Sequence, residues 1–499
     1  MSGPLPEPAR IPLRWRLAAL LSGLALGAAA VVLATEHHST RAVLGRLSAV
    51  AVAGLLVAAG GAAALLALAV CPRRWLRKLR FSRSAPPQPS SAPWLTALAW
   101  IALVVVGATV AVAGIAEALR TPPSPDEEHF VHLAEEIANG GGVAYLLPAL
   151  LGGKWAESNR HPLFPLLLSI YPERWFALGV SSLAYFASLG VLYLMLSRLL
   201  SCSVQALWGV CVAASASALV AGATSALADM LLAFWVLSCW YLTFLVNRER
   251  RTTRAAFWAV LAGVAFGFGY LTKATAILWC VPVLLGAFRF RLRGVVALIL
   301  AFGAALLVAS PLLIRNARLF GNPLYNFNQR FLFTDTFEEG MTAQPRPLSV
   351  AARQFLGRHG WRGVAWRQSK GLAWELFIVS RGAGPCGPEL PRLTLGAAAI
   401  LCGAVGFLSY WSKGYSGWLG ATVVLAWLSF GWYTPIAASA RFVLPAVALF
   451  SGFAPAGLTA LAAALGGNRM RWIAAGALLW CALTAMALVL DPLGYLPRL

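Results

Sequence analysis

Long apolar segments follow one another along almost the whole chain, and short polar connections separate them. A helix that spans a bilayer needs roughly 20 predominantly apolar residues, and thirteen segments are candidates. They are 16–35, 46–70, 93–118, 176–199, 204–223, 226–246, 255–270, 273–288, 294–314, 394–410, 417–436, 440–462 and 471–490. The pattern therefore predicts an all-α polytopic membrane protein with about 13 transmembrane helices.

Two of these segments, 255–270 and 273–288, are shorter than the others, and only two residues separate them. They are predicted to form either one broken pair of helices or a reentrant hairpin. The number of spanning helices is therefore open by about one in either direction.

Composition supports a membrane protein. Hydrophobic residues make up 59% of the chain, charged residues make up 12%, and the mean hydropathy is +0.72. Soluble domains contain about 45–50% apolar and about 25% charged residues. Most of the chain must therefore lie in a bilayer, which excludes a soluble globular protein.

The basic residues indicate which helix ends face the cytoplasm. Segment 71–84 contains six Lys or Arg residues and no acid, and short connections of this kind stay on the cytoplasmic side. Alternating the chain through thirteen helices also places the N-terminus and three other basic connections there: 247–254, 289–293 and 468–471. The long connections 119–175 and 315–392 then fall on the external side. We therefore expect a multi-pass protein of the plasma (inner) membrane.

This topology divides the chain into four parts. Residues 1–92 hold N-terminal helices and a basic cytoplasmic loop, and residues 93–314 form a transmembrane core that includes the external loop 119–175. Residues 315–392 form a second external loop subdomain, and residues 393–499 form the C-terminal transmembrane helices. Short amphipathic helices are expected in the external loops.

The segment SPDEEHFVHLAEEI (124–137) holds five of the 18 acids in a chain whose net charge is +22. Ser124 is suited to cap a helix, with Pro125 in its first position and Glu127 three residues after the cap. An apolar stripe with helical spacing follows: Phe130, Leu133, Ala134, Ile137 and Ala138. Three glycines at 140–142 end it. The segment is predicted to be a short amphipathic helix on the outer membrane surface.

These acids allow a structural and a functional interpretation. Carboxylates in the first turn of a helix stabilise it by about 0.3–1 kcal/mol through its dipole, so Asp126, Glu127 and Glu128 need no other role. A further acid, Asp229, stands at the start of the apolar segment 226–246. An ionisable residue in an apolar span is costly and is a functional candidate by default; a helix cap near the interface is the alternative.

The acids belong to a series of motifs along the chain. The pair Asp126–Glu127 follows a membrane helix, and five motifs come after it: RHPLFPLLL (160–168), ADMLLAFW (228–235), GYLTKATA (269–276), IRNARLFGNPLY (314–325) and ARFVLPAVAL (440–449). This series resembles the GT-C superfamily of polytopic glycosyltransferases, above all the lipid A aminoarabinose transferases and the protein O-mannosyltransferases. In that family the acidic pair follows the first membrane helix, so 16–70 is an N-terminal addition here. The family's frequent Lys-Pro-Pro-Leu is replaced by Arg160-His161-Pro162-Leu163.

The resemblance implies an enzyme that moves a sugar from a polyprenyl-phosphate donor to an acceptor hydroxyl on the outer face, inverting the anomeric centre. It makes Asp126 the general base, Glu127 a neighbour that orients it or contacts the sugar, and Asp229 a second acid at the site. The residues that it assigns to the donor phosphate are Arg160, His161, Lys273, Arg315 and Arg441. The alternative for Lys273 and Arg441 is that they snorkel to the interface, and the alternative for Arg315 is that it marks the end of its helix. The acceptor is a glycan, a lipid or a protein.

Other functions and partners are less well supported by the sequence. A lipid or solute transporter or flippase is the alternative function, but transporters usually contain repeated halves and broken helices at the membrane midplane, and we find no repeat. Asp126, His129 and His132 are spaced for a divalent metal, although such spacing is common, and no cofactor is firmly predicted. The positive charge is spread over loops beside membrane lipid, so no nucleic acid partner is expected.

Overall fold

The computed structural model describes residues 93–200, 202–287, 292–343, 346–387, 389–409, 415–464 and 469–490. The predicted spans 16–35 and 46–70 and the basic segment 71–84 lie outside the described residues, so the total of thirteen helices and the orientation stay predictions. The described part consists of helices and their connections, with one isolated β-bridge between Ala216 and Pro385. This architecture confirms the predicted all-α fold.

The described α-helices are named α1 to α18 in chain order. They are α1 Pro93–Ala108, α2 Ile115–Arg120, α3 Pro125–Asn139, α4 Val143–Gly152, α5 Leu163–Leu168, α6 Arg174–Leu200, α7 Ser203–Ala214, α8 Ser217–Ala223, α9 Asp229–Arg248, α10 Thr252–Thr272, α11 Ala276–Ala287, α12 Leu292–Phe320, α13 Phe337–Thr342, α14 Leu348–Ala383, α15 Glu389–Ser409, α16 Tyr415–Tyr433, α17 Leu444–Ala464 and α18 Arg469–Leu490. A π-helical turn, Thr109–Gly114, joins α1 to α2, and 3-10 turns occupy Phe327–Phe331 and Ala440–Val443.

Seven helical segments of the described part are long and apolar enough to cross a membrane. They are Pro93–Val112, Arg174–Leu200, Asp229–Arg248, Thr252–Thr272, Arg293–Phe320, Pro391–Ser409 and Ala440–Ala463. Each of them overlaps a predicted span. The predicted spans 204–223, 273–288, 417–436 and 471–490 also contain helices, which are not among these seven, and the first of them is divided into α7 and α8.

The two short predicted spans form separate helices, α10 and α11, with a break at Lys273. The Lys273 backbone is extended (φ −163°, ψ 136°), and its N–H still donates to the carbonyl of Gly269 at 2.9 Å. The next helix begins only at Ala276. The break therefore places the Lys273 side chain at the end of α10 rather than within a helix.

α10 and α12 pack closely because α10 has glycines on the face that meets α12. The two helices run in the same direction, since Gly263 faces Ala301 and Gly267 faces Ala305. A Cβ atom at Gly263 would lie 2.0 Å from the Ala301 carbonyl oxygen, and one at Gly267 would lie 3.0 Å from the Ala305 carbonyl oxygen. Small residues permit such close backbone approach. The C-terminal ends of α10 and α12, which both carry predicted cations, therefore lie at the same end of the bundle.

The predicted amphipathic helix is confirmed as α3, and its place on the outer membrane surface stays a prediction. The Ser124 hydroxyl accepts a hydrogen bond from the Glu127 N–H at 3.4 Å, and the Glu127 carboxylate accepts one from the Ser124 N–H at 2.9 Å, which completes the capping box. The apolar stripe is buried, and its Phe130 ring lies edge-on to Phe164 of α5 with centroids 5.1 Å apart. These contacts fix the direction in which the first turn of α3 points.

Region 315–392 contains more regular structure than the short amphipathic helices predicted there. α14 is 36 residues long and is kinked at Gly360, whose φ of 61° favours glycine. Its second half packs against α16 so tightly that a Cβ atom at Gly371 would lie 1.5 Å from a backbone oxygen. The buried charged residues Arg367 and Glu375 interrupt the apolar pattern of α14, which is why the pattern did not indicate a helix of this length.

Candidate active site

Asp126, in the first turn of α3, lies between two guanidinium groups. Its Oδ1 is 2.5 Å from Nη2 of Arg160, and its Oδ2 is 3.4 Å from Nη1 of Arg441. Arg160 comes from the connection before α5, and Arg441 comes from the 3-10 turn before α17. The Asp126 side chain keeps 45% of its surface exposed, so a substrate can still reach the carboxylate.

Glu157 holds the backbone that presents Arg160. Its Oε1 accepts hydrogen bonds from the N–H groups of Asn159 at 2.6 Å and Arg160 at 2.9 Å, and its Oε2 lies 2.8 Å from Nε2 of His129. Burial by itself raises the pKa of Glu157, but the bonds from His129 and the two N–H groups outweigh it and lower the pKa below its ordinary value. Glu157 is therefore an ionised anchor, which our reading of the sequence did not single out.

Glu127 is buried, and its two carboxylate oxygens are both occupied. Oε2 accepts from the Ser124 N–H and lies 3.2 Å from Nη2 of Arg174, while Oε1 accepts from the Ala226 N–H at 2.8 Å. Ala226 stands just before α9, so Glu127 ties α3 to the start of the helix that carries Asp229. This geometry gives Glu127 a positioning role between α3 and α9, and its burial leaves little of the carboxylate accessible to a sugar.

Asp229 is the first residue of α9 and forms a buried ion pair. Its Oδ1 is 2.5 Å from Nζ of Lys273, and the Lys273 ammonium also lies 4.9 Å from the ring centroid of Phe442. No side-chain capping bond is present at the start of α9. Arg441 acts electrostatically on Asp229 as well as on Asp126. Neither helix capping nor snorkelling describes this pair, because each charge has the other as its partner.

Arg315, near the end of α12, differs from the other cations. Only 2% of the residue is exposed, and its Nε and Nη1 have no hydrogen-bond partner. Its guanidinium lies 5.1 Å from the ring centroid of Trp155 and 5.5 Å from that of Phe320. Within the described part of the chain it forms no ion pair, although Glu157 acts on it electrostatically. A buried cation with unused donors is suited to an anionic ligand.

His161 lies near Arg315, and its surroundings do not favour the predicted role in phosphate binding. Its Nδ1 lies 2.5 Å from the carbonyl oxygen of Tyr270, and a carbonyl only accepts, so Nδ1 carries the proton. Burial, with Arg315 and Lys273 nearby, lowers the pKa of His161 to about 4. The ring is therefore neutral at pH 7, and its Nε2 accepts hydrogen bonds. It suits a hydroxyl group rather than a phosphate oxygen.

The structure thus brings all eight predicted residues to one end of the bundle. Contacts join Asp126, Arg160 and Arg441, and a second ion pair joins Asp229 to Lys273. The alternative metal site is not assembled: His129 faces Glu157, His132 is 3.8 Å from Glu135, and the described residues contain no group of three or more potential metal ligands.

Two further residues at this end were missed by sequence reasoning. Glu157 lies in a connection and Arg174 stands at the start of α6, and charged side chains are common at such positions and carry little information. The one signal was position, since Glu157 stands three residues before Arg160 and Arg174 starts the helix that follows the same motif.

Comparison with protein families supports the resemblance predicted from the motifs. Residues 166–314 match the model of the family described as dolichyl-phosphate-mannose-protein mannosyltransferase. The matched stretch contains Asp229 and Lys273. The predicted resemblance to the polytopic glycosyltransferases is thereby confirmed for this part of the chain. No curated protein gives a significant match to the sequence.

Solved structures of two such enzymes are similar to this chain. The oligosaccharyltransferase of Archaeoglobus fulgidus in its apo form aligns with a TM-score of 0.47 and 14% identity, over 81% of this chain and 56% of that chain. ArnT from Cupriavidus metallidurans bound to undecaprenyl phosphate aligns with a TM-score of 0.32 and 15% identity, over 75% of this chain and 80% of that chain. The chain thus spans little more than half of the archaeal enzyme.

Proposed function

We propose that this protein is an integral membrane glycosyltransferase that moves a sugar from a polyprenyl-phosphate donor to an acceptor hydroxyl. The observation that carries the proposal is the half-exposed Asp126 carboxylate, held between two arginines beside a second, buried acid–base pair. Support comes from the family match, whose name specifies a dolichyl-phosphate-linked sugar. The archaeal oligosaccharyltransferase has also been solved with a dolichol-phosphate.

The reaction is a single displacement at the anomeric carbon. The acceptor oxygen forms the new glycosidic bond while its proton passes to the Asp126 carboxylate. The bond from the anomeric carbon to the phosphate oxygen breaks, and its electron pair leaves with the polyprenyl phosphate. One displacement inverts the anomeric centre. A positioned general base contributes typically about 10²–10⁴-fold to such a step.

Arg315 is the leading residue for the donor phosphate. Its Nε and Nη1 donors are buried and unused, and hydrogen bonds from a guanidinium to a phosphate are charge-assisted and strong. Arg160, Lys273 and Arg441 lie at the same end of the bundle, but each already faces a carboxylate. They add positive potential around the leaving group, which develops charge as the bond breaks.

The sugar hydroxyls would meet groups that accept hydrogen bonds. His161 offers its unprotonated Nε2, because its Nδ1 proton is used by Tyr270. Asp229 offers the carboxylate that Lys273 holds in place. These two residues therefore suit the sugar better than the phosphate.

The outer face and the acceptor also belong to this proposal. Basic short connections assign the site to the external side, and the acceptor is a glycan, a lipid or a protein. A transporter or flippase fits less well. Its charged groups would lie near the midplane, whereas here they surround the ends of α10 and α12 and the starts of α3 and α9.

The test is a turnover assay with the purified protein in detergent. We expect labelled polyprenyl-phosphate sugars, offered with membrane extracts as acceptors, to release free polyprenyl phosphate in step with a labelled product. Movement of intact donor across liposome membranes without release of polyprenyl phosphate would contradict the proposal and support a flippase.

A further inference from the structure

A buried acid lies outside the site described above. Glu375, in the second half of α14, has no exposed surface, and its Oε1 has no hydrogen-bond partner. Its Oε2 lies 2.6 Å from the Thr434 hydroxyl, which is also 2.8 Å from the Phe430 carbonyl oxygen. Thr434 directly follows α16. Glu375 therefore supports the end of that helix from the side.

The end of α16 is connected to Arg441 in two ways. Along the chain, residues 435–440 lead from Thr434 to the 3-10 turn, in which the Ser439 hydroxyl accepts from the Arg441 N–H at 3.2 Å. Across the fold, the rings of Phe430 and Phe442 are stacked, with centroids 5.7 Å apart and planes within 5°. A change at Thr434 therefore reaches the residue that contacts Asp126.

No cation of the described residues pairs with Glu375. Its polar partner is Thr434, and Tyr433, the titratable residue beside Thr434 on α16, packs its ring on Phe442. Six charged groups on α14 and on the elements packed against it contact other partners: Arg353 the Ser349 carbonyl, Arg358 Asp335 and Glu339, Arg367 the Thr334 and Trp432 carbonyls, Arg381 Glu389, Arg392 the Ser217 hydroxyl, and Arg441 Asp126. Arg362 and Lys370 also lie on α14, and burial and the Thr434 bond are the influences on the Glu375 carboxyl group. A buried carboxylate without a cation is costly.

Hydrogen counting favours a neutral acid. The Thr434 hydroxyl has one hydrogen and two neighbouring oxygens. If that hydrogen goes to the Phe430 carbonyl, Glu375 must donate to Thr434, which only a protonated carboxyl group can do. Burial raises the pKa of Glu375 to about 7 against the opposing effect of the Thr434 bond. In this arrangement the Glu375 carboxyl group donates to the Thr434 hydroxyl, and the Thr434 hydroxyl donates to the Phe430 carbonyl.

We propose that Glu375 is a positioning residue that must be protonated to hold the Thr434–Arg441 segment so that Arg441 reaches Asp126. Loss of the proton leaves an unpaired charge in a closed space, and the segment moves to let in water. Glycosyl transfer therefore falls as the pH rises. This link to rate rests on the proposed function, whereas the link to stability does not.

The test compares the wild-type protein with Glu375→Gln, a neutral side chain of the same shape that can donate to Thr434. Between pH 6 and 8 the wild-type rate should fall about tenfold per pH unit above the pKa. The rate of Glu375→Gln should stay within about threefold of the wild-type value at pH 6 and lack that fall. Thr434→Val, which removes the hydroxyl link, should be slow at every pH.

Thermal melting provides a second measurement that needs no substrate. The folded-state pKa of Glu375 lies above the ordinary glutamate value of 4.5, so the folded protein holds this proton where the unfolded chain has lost it. Stability from this group is present at low pH and is lost as the pH rises from about 4.5 to about 7. The wild-type melting temperature should therefore fall over this range more than that of Glu375→Gln.

The two arms separate the possible failures. Parallel melting curves for the two proteins across this pH range would overturn the assignment of the proton, whether or not a donor has been found. A melting difference without any difference between their rate profiles would overturn the positioning role. Absence of turnover in every variant, with the melting difference intact, would count against the proposed function alone. In that case the positioning role is tested with a fluorophore attached to Ala438→Cys, an exposed position of the segment. A fluorescence change with pH that occurs when Glu375 is present and not in Glu375→Gln supports the positioning role. Equal fluorescence changes in the two proteins would overturn it.

Discussion

Two cationic regions lie at the same end of the bundle and differ in how their charges are balanced. Around Asp126, the cations Arg160 and Arg441 already have a carboxylate partner, and Lys273 has Asp229. Arg315 has two aromatic rings and unused donors instead. The charges of the first region are paired within the protein, whereas Arg315 has no carboxylate partner among the described residues.

This difference distinguishes two roles for basic residues, binding of the phosphate and support of the chemical step, which a sequence motif does not distinguish. An arginine on an aromatic face gains roughly 0.5–2 kcal/mol, which does not replace the hydration that a buried charge loses. The remaining cost is recovered when an anion binds. We therefore propose that Arg315 provides affinity for the donor phosphate and that the Asp126 region carries out the chemical step.

The largest expected effect is on the chemical step. Asp126→Asn keeps the shape and the helix start but cannot accept a proton, so turnover should fall by about 10²–10⁴-fold while the protein still folds. The measurement is the rate of polyprenyl phosphate release, with melting as the check on folding. The matched control is Glu135→Gln, an exposed acid of the same helix, which should remain active. If turnover of Asp126→Asn falls by less than about tenfold, the general-base role is wrong and the carboxylate only stabilises the start of the helix.

The second effect falls on use of the donor. Arg315→Met removes the unpaired cation but keeps much of the side-chain volume, so kcat/KM for the donor should fall by about 10²–10³-fold. Melting should be unchanged or slightly higher, because an uncompensated buried charge has been removed. Arg315→Lys should be intermediate, since it keeps the charge and loses the planar fork. A large drop in melting temperature with normal donor use would assign Arg315 to structure.

The smallest effect on rate, but a clear one on stability, is expected for Lys273. Lys273→Ala leaves the buried Asp229 carboxylate without its partner, which should cost on the order of 3 kcal/mol. The double variant Asp229→Asn with Lys273→Met should recover most of that stability. Arg358→Ala, which breaks the exposed pair with Asp335, is the surface control and should cost less than about 1 kcal/mol. If all three variants melt alike, the Asp229–Lys273 pair is not buried as described.

Local signals predicted much of the fold and the residue types of the site. The capping box and apolar stripe of α3 depend on residues within one short segment, so the sequence contains all the information needed to place that helix. The apolar runs behind the seven helices that are long and apolar enough to cross a membrane are local in the same way. The site residues, in contrast, were found through motif order.

Other features depend on residues far apart in the chain. Arg441 reaches Asp126 across 315 positions, and no periodicity encodes that contact. Glu127 looks like its neighbour Asp126 in sequence, yet helix geometry turns it toward Ala226 and buries it. His161 looked like a phosphate ligand until the Tyr270 carbonyl fixed its tautomer.

The most direct test of the division of tasks is equilibrium binding of labelled undecaprenyl phosphate to purified Asp126→Asn and Arg315→Met in detergent. Asp126→Asn should bind the lipid phosphate as tightly as the wild-type protein, because its base takes part only in the chemical step. Arg315→Met should bind at least about tenfold more weakly, since a charge-assisted bond of about 1.5–3 kcal/mol has been lost. Normal binding by Arg315→Met, or equal weakening in both variants, would contradict the assignment of phosphate binding and proton transfer to separate regions.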